Sequence, residues 1–213
     1  MPKIKISKSA PSLDMTPMVD LAFLLVTFFM LTAKFRQNEA VMISPPSSHS
    51  DKILPENVMQ VTVDTAGRVF FALDGREVRR SLLTDMGAKY KVTFSEEDMK
   101  RFSLMSEFGV PMDKLQSYIR GDEKTRLKLD SESQGVPLDS LNNQLGDWIA
   151  FGWNAKQVFQ QSNNIPKENW CRIAIKADGQ TNYKAIKRVI QVFQERNLNS
   201  FNLITNMETE QAE

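Results

Sequence analysis

Asp20 stands at the start of an apolar run, PMVDLAFLLVTFFMLTA, and it is the residue of this chain best placed to do chemistry. An ionised carboxylate costs about 2.5–3.5 kcal/mol at the centre of a membrane-inserted helix. Apolar surroundings disfavour its charged form, so a carboxyl kept there can take up a proton and give it back. On a wheel of about 100° per residue with Asp20 at zero, Thr16 falls near −40° and Thr27 near −20°. The polar residues of the run therefore share one stripe, leaving Leu21, Phe23, Leu25, Val26, Phe28 and Phe29 around the rest. A lone helix cannot satisfy a polar stripe in lipid, so partner helices or a water-filled cavity are called for. An Asp20 that merely snorkels to the cytoplasmic interface would explain the acid but not the aligned threonines. Three roles are open to Thr16 and Thr27: passing protons, binding water, or bonding the carbonyl four residues back, the usual habit of helical threonine.

Little else in the sequence offers a reactive site. The 213 residues suffice for one moderate domain with appendages or for two small ones. Hydrophobic content of 41% and a mean hydropathy of −0.35 exclude a polytopic membrane protein. A net charge of +1 with no dominant basic patch argues against nucleic-acid binding. Cys171 is the one cysteine, so no intrachain disulfide forms. The one histidine, His49, lies in the loop SPPSSHSD and reads as solvated. Neither a metal cluster nor a cofactor motif is visible. Proton exchange at Asp20 needs no nucleophile, general base or metal, so the chain is not expected to be an enzyme.

The element that must position Asp20 is a helix. Met15 to Ala33 carries Asp20 as its one charge and would reach about 28 Å, close to the ~30 Å of bilayer hydrocarbon. Lys3, Lys5 and Lys8 precede it, as a cytoplasmic N-terminus requires, while Lys34 and Arg36 come after it and leave the bias modest. A cleaved signal peptide is the alternative, with an apolar core from Leu21 to Leu31 and small Ala33 behind it. Against cleavage stand the long segment before the core, the large Leu31 near the supposed site, and the internal acid. Anchor or signal, the run exports the remainder of the chain.

Downstream, VMQVTVDTAGRVFFALDGREV (residues 58–78) alternates apolar and polar residues about a turn at Ala66–Gly67, with a second turn at Asp74–Gly75. It reads as a β-hairpin. CRIAIKADGQTNYKAIKRVIQVFQERNLNSFNLITN (171–206) reads strand, turn, helix, strand. Its helix repeats Tyr183, Ile186, Val189, Ile190 and Phe193, with Asn182 as N-cap and Asn197 as its close.

The string D-M-T-P-M-V-D before LAFLLVTFFMLTA resembles the ExbD/TolR family of energy-transducing membrane proteins. The family motif T-P-x-x-D falls here on Thr16, Pro17, Met18, Val19 and Asp20. Many members have Asn where this chain has Asp14, so no role is carried to that position. Pro17 suits the first helical position, where its missing N–H costs nothing. The hairpin and the strand–helix–strand block, with its turn at Ala177–Asp178, are similar to the family's small α/β domain. Together these matches cover roughly 110 of the 213 residues.

The resemblance implies an α+β chain. It implies a single-pass protein of the bacterial inner membrane, with residues 1–14 cytoplasmic, 15–35 a transmembrane helix, 36–57 a linker, and 58–213 a periplasmic α/β domain. It implies proton-motive-force coupling through Asp20, with Thr16 and Thr27 on the supporting polar face. The implied partners are a polytopic ExbB/TolQ-like protein enclosing two copies of the span, and a TonB-like periplasmic protein that drives outer-membrane transport. TolR-like envelope maintenance and motility stators use the same span chemistry. A membrane-anchored or secreted binding module without a proton role is the reading from a different class.

Residues from about 91 to 168 depart from a compact member and read as a mostly helical insertion. SEEDMKRFSLMSEFG offers Ser95 as N-cap, acids in the first turn and Gly109 as stop. GVPMDKLQSYI (109–119) and GVPLDSLNNQL (135–145) echo each other as two helix starts. The charged RGDEKTRLKLDSESQ between them reads as an exposed connection, and the second helix is expected to end near Gly152. Trp148, Trp153 and Trp170 are expected to pack a satellite core rather than to dock a partner. The polar tail METEQAE reads as frayed.

Overall fold

Thr16–Thr32 forms one uninterrupted helix, α1, in a computed structural model that describes residues 15–32, 43, 45, 47–48, 57–139, 142–204 and 206–207. The Val19 N–H donates to the Met15 carbonyl at 3.1 Å, so the helix begins at Thr16 and Pro17 is its second residue, not its first. Pro17 still costs no hydrogen bond, because N–H groups of a first turn have no intrahelical acceptor. Among the described residues no helix is long and apolar enough to cross a membrane. α1 has 17 residues, about 25 Å of rise. Residues 33–35 of the expected span, like Asp14 and His49, lie outside the described residues.

The chain divides into two units, Met1–Gln37 and Asn38–Glu213. The second contains strands β1 (Ser47–Ser48), β2 (Val58–Val63), β3 (Val69–Leu73), β4 (Arg172–Ala177), β5 (Phe201–Ile204) and β6 (Asn206–Met207). The main sheet has the order β3-β2-β4-β5, and β1 pairs in parallel with β6. β2 runs antiparallel to β3 and parallel to β4, which is parallel to β5. The inner strands bury Met59, Val61, Val63, Ile173 and Ile175, alternate residues that share one face of the sheet.

The hairpin turns where expected. The Asp64 carboxylate accepts from the Arg68 N–H at 2.8 Å and Gly67 takes φ 80°. The Asp74–Gly75 turn has a different sequel: Gly75, at φ 99°, leads straight into helix α2 (Arg76–Tyr90), so Arg76–Val78 leave the hairpin. The strand–helix–strand block is present as expected. Its helix α7 (Tyr183–Glu195) is capped by Asn182, which accepts from the Lys184 N–H at 2.9 Å, and Asn197 lies beyond its end at φ 59°.

Between β3 and β4 lie α2, α3 (Glu96–Leu104), α4 (Met112–Arg120), α5 (Glu123–Glu132) and α6 (Gln144–Ser162). Ser95 and Asp98 close the capping box of α3. The helix stops at Leu104, short of Gly109, because residues 105–110 run out to bond β3 instead. The Phe71 N–H donates to the Phe108 carbonyl at 2.8 Å and the Phe108 N–H returns to Phe71 at 3.1 Å. Gly109 sits against the Phe70 ring, where a Cβ would lie 2.2 Å from Cδ1.

The two G-V-P-x-D copies diverge. The first starts α4 just after Pro111. The second starts no helix, since the Val136 N–H donates to the Val69 carbonyl of β3 at 2.8 Å and holds that stretch extended. α6 begins later, at Gln144, with Asn143 accepting from the Gly146 N–H at 2.9 Å. The charged stretch expected to be a connection is helix α5, capped by Asp122. α6 continues past Gly152, which faces Phe71, Leu73 and Leu82.

These helices build no satellite core. Trp148 is fully buried with its ring centroid 6.1 Å from that of Phe71 and 4.8 Å from that of Phe108, inside the same cluster that holds Val61 and Ile175. Trp153 packs at the margin of this core, and the half-buried Trp170 donates its Nε1–H to the Ile165 carbonyl at 3.0 Å.

Candidate functional site

No residue of α1 is buried, and Thr27 alone is half-buried. Unbroken α-geometry puts Thr16, Asp20 and Thr27 on one face, with Asp20 about 6 Å along the axis from Thr16 and about 10 Å from Thr27. That separation excludes a direct hydrogen bond between Asp20 and Thr27. The Thr27 hydroxyl donates to the Leu24 carbonyl at 2.9 Å, and Thr32 donates likewise to the Phe28 carbonyl at 2.8 Å. Thr27 thus commits its proton to its own helix, bonding three residues back rather than four, and keeps oxygen lone pairs on the Asp20 face. The rest of the surface, from Leu21 to Leu31, is exposed and apolar. A helix so built can bury nothing within itself and presents one carboxyl beside two hydroxyls.

The second unit holds polar groups that the sequence alone did not single out. Asp147 on α6 accepts from the Tyr90 hydroxyl at 2.8 Å and pairs with Lys89 at 2.6 Å and Arg196 at 3.2 Å, joining α2, α6 and the end of α7. Burial, aided by the Asp147 carboxylate, pushes the Tyr90 hydroxyl well above its ordinary value, so it stays a donor. Asp130 on α5 accepts from the Tyr118 hydroxyl at 2.8 Å, while Arg68 donates to the Asp130 carbonyl at 2.8 Å and ties α5 to the hairpin turn.

Lys156 on α6 is the most unexpected of these groups. It is 3% exposed, its Nζ donates to Asn57 Oδ1, and burial lowers its pKa. Asn57 is bonded on two further sides: its Nδ2 donates to the Asn169 carbonyl at 3.0 Å, and its own carbonyl accepts from the Arg172 N–H at 3.0 Å. Asn57 is thereby fastened where residues 38–56 give way to the sheet. A signal for Lys156 existed in the sequence, since it falls on the apolar face of α6 seven residues after Ile149.

Cys171 is buried and its thiol is pushed up to about 11 by that burial, which leaves it inert as a nucleophile. Among the described residues no group of three or more His, Cys, Asp or Glu side chains could hold a metal ion.

A family model described as biopolymer transport protein ExbD/TolR matches residues 7–208, across both units and the helical stretch between β3 and β4. No curated protein and no solved structure matches the chain.

Proposed function

Because this chain belongs to the ExbD/TolR family of biopolymer transport proteins, we propose that it is the proton-coupled subunit of an ExbB–ExbD–TonB-like complex that powers outer-membrane transport. In this reading α1 and the residues after it span the inner membrane, with Lys3, Lys5 and Lys8 on the cytoplasmic side and the α+β unit in the periplasm. The observation that carries the proposal is the Asp20 stripe: one carboxyl and two hydroxyls along a helix whose remaining surface is apolar and exposed.

Lipid leaves such a stripe unsatisfied, so it is turned toward partner helices, and two copies of α1 enclosed by an ExbB/TolQ-like protein provide the apolar and polar neighbours it lacks. Asp20 alternates between neutral and ionised forms as protons enter from one side and leave to the other. Each charge that crosses is worth about 2.3 kcal/mol per 100 mV. The altered packing of α1 passes that energy to the periplasmic α+β unit. No step requires a cofactor or a nucleophile.

The test is Asp20→Asn in cells. It is expected to abolish uptake that a protonophore also abolishes, with insertion and complex assembly preserved. Normal uptake by the Asn form would contradict the proposal. Intact uptake with a failing envelope would assign the chain to the Tol-type role instead.

A further inference from the structure

Helix α5 is held to the fold by polar groups rather than by apolar burial. Asp130 is its one buried residue, at 6% exposure, while Leu127 is exposed and Leu129 is half-buried at the margin of the core. A single buried carboxyl supplies none of the hydrophobic stabilisation that fixes α6 through Trp148 and Ile149. α5 also stands apart along the chain. Gly121 separates it from α4, and Gly135, at φ 85°, ends the stretch that follows it.

Asp130 Oδ2 accepts from the Tyr118 hydroxyl of α4 at 2.8 Å, but Oδ1 is buried with no hydrogen-bond partner among the described residues. Arg68, paired with Asp64 at 2.6 Å in the hairpin turn, donates to the Asp130 and Ser131 carbonyls at 2.8 and 3.3 Å. Arg126 of α5 donates back to the Tyr118 and Ile119 carbonyls at 3.2 and 3.3 Å. Glu107, buried in the stretch that bonds β3, adds a second acid on the Tyr118 side. The arginines keep their charge at every pH in question, and burial holds Tyr118 protonated. A carboxylate with one oxygen buried and unbonded is costly, whereas the neutral acid is not. Burial accordingly pushes the Asp130 carboxyl up to about 6, against the pull of Tyr118, Arg68 and Arg126.

We propose that α5 is a proton-controlled flap: it closes on α4 and the hairpin turn while Asp130 carries a proton, and it is released between Gly121 and Gly135 when Asp130 ionises. In the open form the carboxylate reaches water and titrates near its ordinary value of about 4. The closed form binds the proton more tightly, so opening grows as pH rises from about 4 to about 6 and levels off above. Between about pH 5 and about pH 7.5 this linkage is worth about tenfold in the opening equilibrium. The flap is independent of the role of Asp20.

Amide hydrogen exchange of the full chain at about pH 5 and about pH 7.5, corrected for intrinsic rates, tests it. The α5 amides from Leu127 to Glu132 are expected to lose about tenfold in protection at the higher pH, relative to those of Trp148 and Ile149 in α6. Asp130→Asn keeps an acceptor for Tyr118 and cannot ionise, so its α5 should be equally protected at both. Tyr118→Phe removes the donor that eases ionisation and should enlarge the change seen in the wild type. Constant α5 protection in the wild type, α5 and α6 losing protection together, or the same loss in the Asn variant would each overturn the proposal.

Discussion

Arg120 grips Asp98 through two parallel hydrogen bonds, Nε to Oδ1 at 2.9 Å and Nη2 to Oδ2 at 2.8 Å. The fork fastens the first turn of α3 to the last residue of α4. Asp98 is buried and also accepts from the Ser95 N–H at 3.1 Å, so one carboxylate closes a capping box and joins two helices. The Arg120 hydrogen bonds hold its carboxyl well below the usual carboxylate range, against the opposing effect of burial.

Asp98→Asn is therefore expected to cost about 1–3 kcal/mol at neutral pH, measured by urea unfolding. A carboxyl whose folded value is depressed contributes stability above its unfolded value of about 4, and loses it as pH falls through the folded value. The wild type should lose stability below about pH 4 more steeply than the Asn variant. Parallel acid profiles for the two would contradict the assignment.

Asp130 has the opposite sign. Burial pushes its carboxyl up to about 6, against the pull of the Tyr118 hydroxyl and of Arg68 and Arg126. The folded form binds the proton more tightly than the unfolded chain, so stability declines as pH rises from about 4 to 6 and the penalty is complete above. Asp130→Asn retains an acceptor for Tyr118 and removes the penalty. It should stabilise the protein by about 1–2 kcal/mol at pH 7.5, after allowance for solvent screening, and be close to neutral at pH 4. Equal effects at both values would refute this.

Gly135 holds the outer edge of β3. It sits at φ 85°, and a Cβ would lie 2.4 Å from the Val69 nitrogen. Its own N–H donates to Ser133 Oγ at 3.1 Å, and Ser133 Oγ donates to the Gly109 carbonyl at 2.7 Å. Gly135→Ala should cost upwards of about 2 kcal/mol, with hydrogen exchange at Val136 accelerating before exchange in β2. Unchanged protection at Val136 would show that the edge does not depend on this turn.

Trp148 joins the helical stretch to the sheet through the rings of Phe71, Phe102 and Phe108. Trp148→Ala should cost about 3–5 kcal/mol. Trp148→Phe should cost less, because it keeps the aromatic contacts and removes an indole N–H that has no partner. A single cooperative transition is expected in both. Separate melting of the helices and the sheet would restore the satellite-core expectation.

The elements with strong local signals were legible: the Ala66–Gly67 turn, the Ser95 cap, the Asn182 cap and the Asn197 close each came from residues that favour one backbone geometry. What sequence could not resolve was competition between neighbours. GVPLDSLNNQL carries the same helix-start letters as GVPMDKLQSYI, yet the Val136 N–H finds a β3 carbonyl and local preference yields. RGDEKTRLKLDSESQ looked too polar to pack, but Arg68 and Tyr118 anchor Asp130 of its helix from distant elements. At the candidate site, Asp20 and its stripe were readable because a helix fixes the spacing of its own side chains. Lys156 and Asn57, 99 residues apart in sequence, meet only through the fold.

Proton flux into vesicles holding this chain with an ExbB/TolQ-like protein tests the proposed role of Asp20 directly. Under an imposed potential the wild-type complex should conduct, and the Asp20→Asn complex, assembled to the same extent, should fall to the flux of empty vesicles. Flux from the Asn complex equal to the wild type would contradict the account.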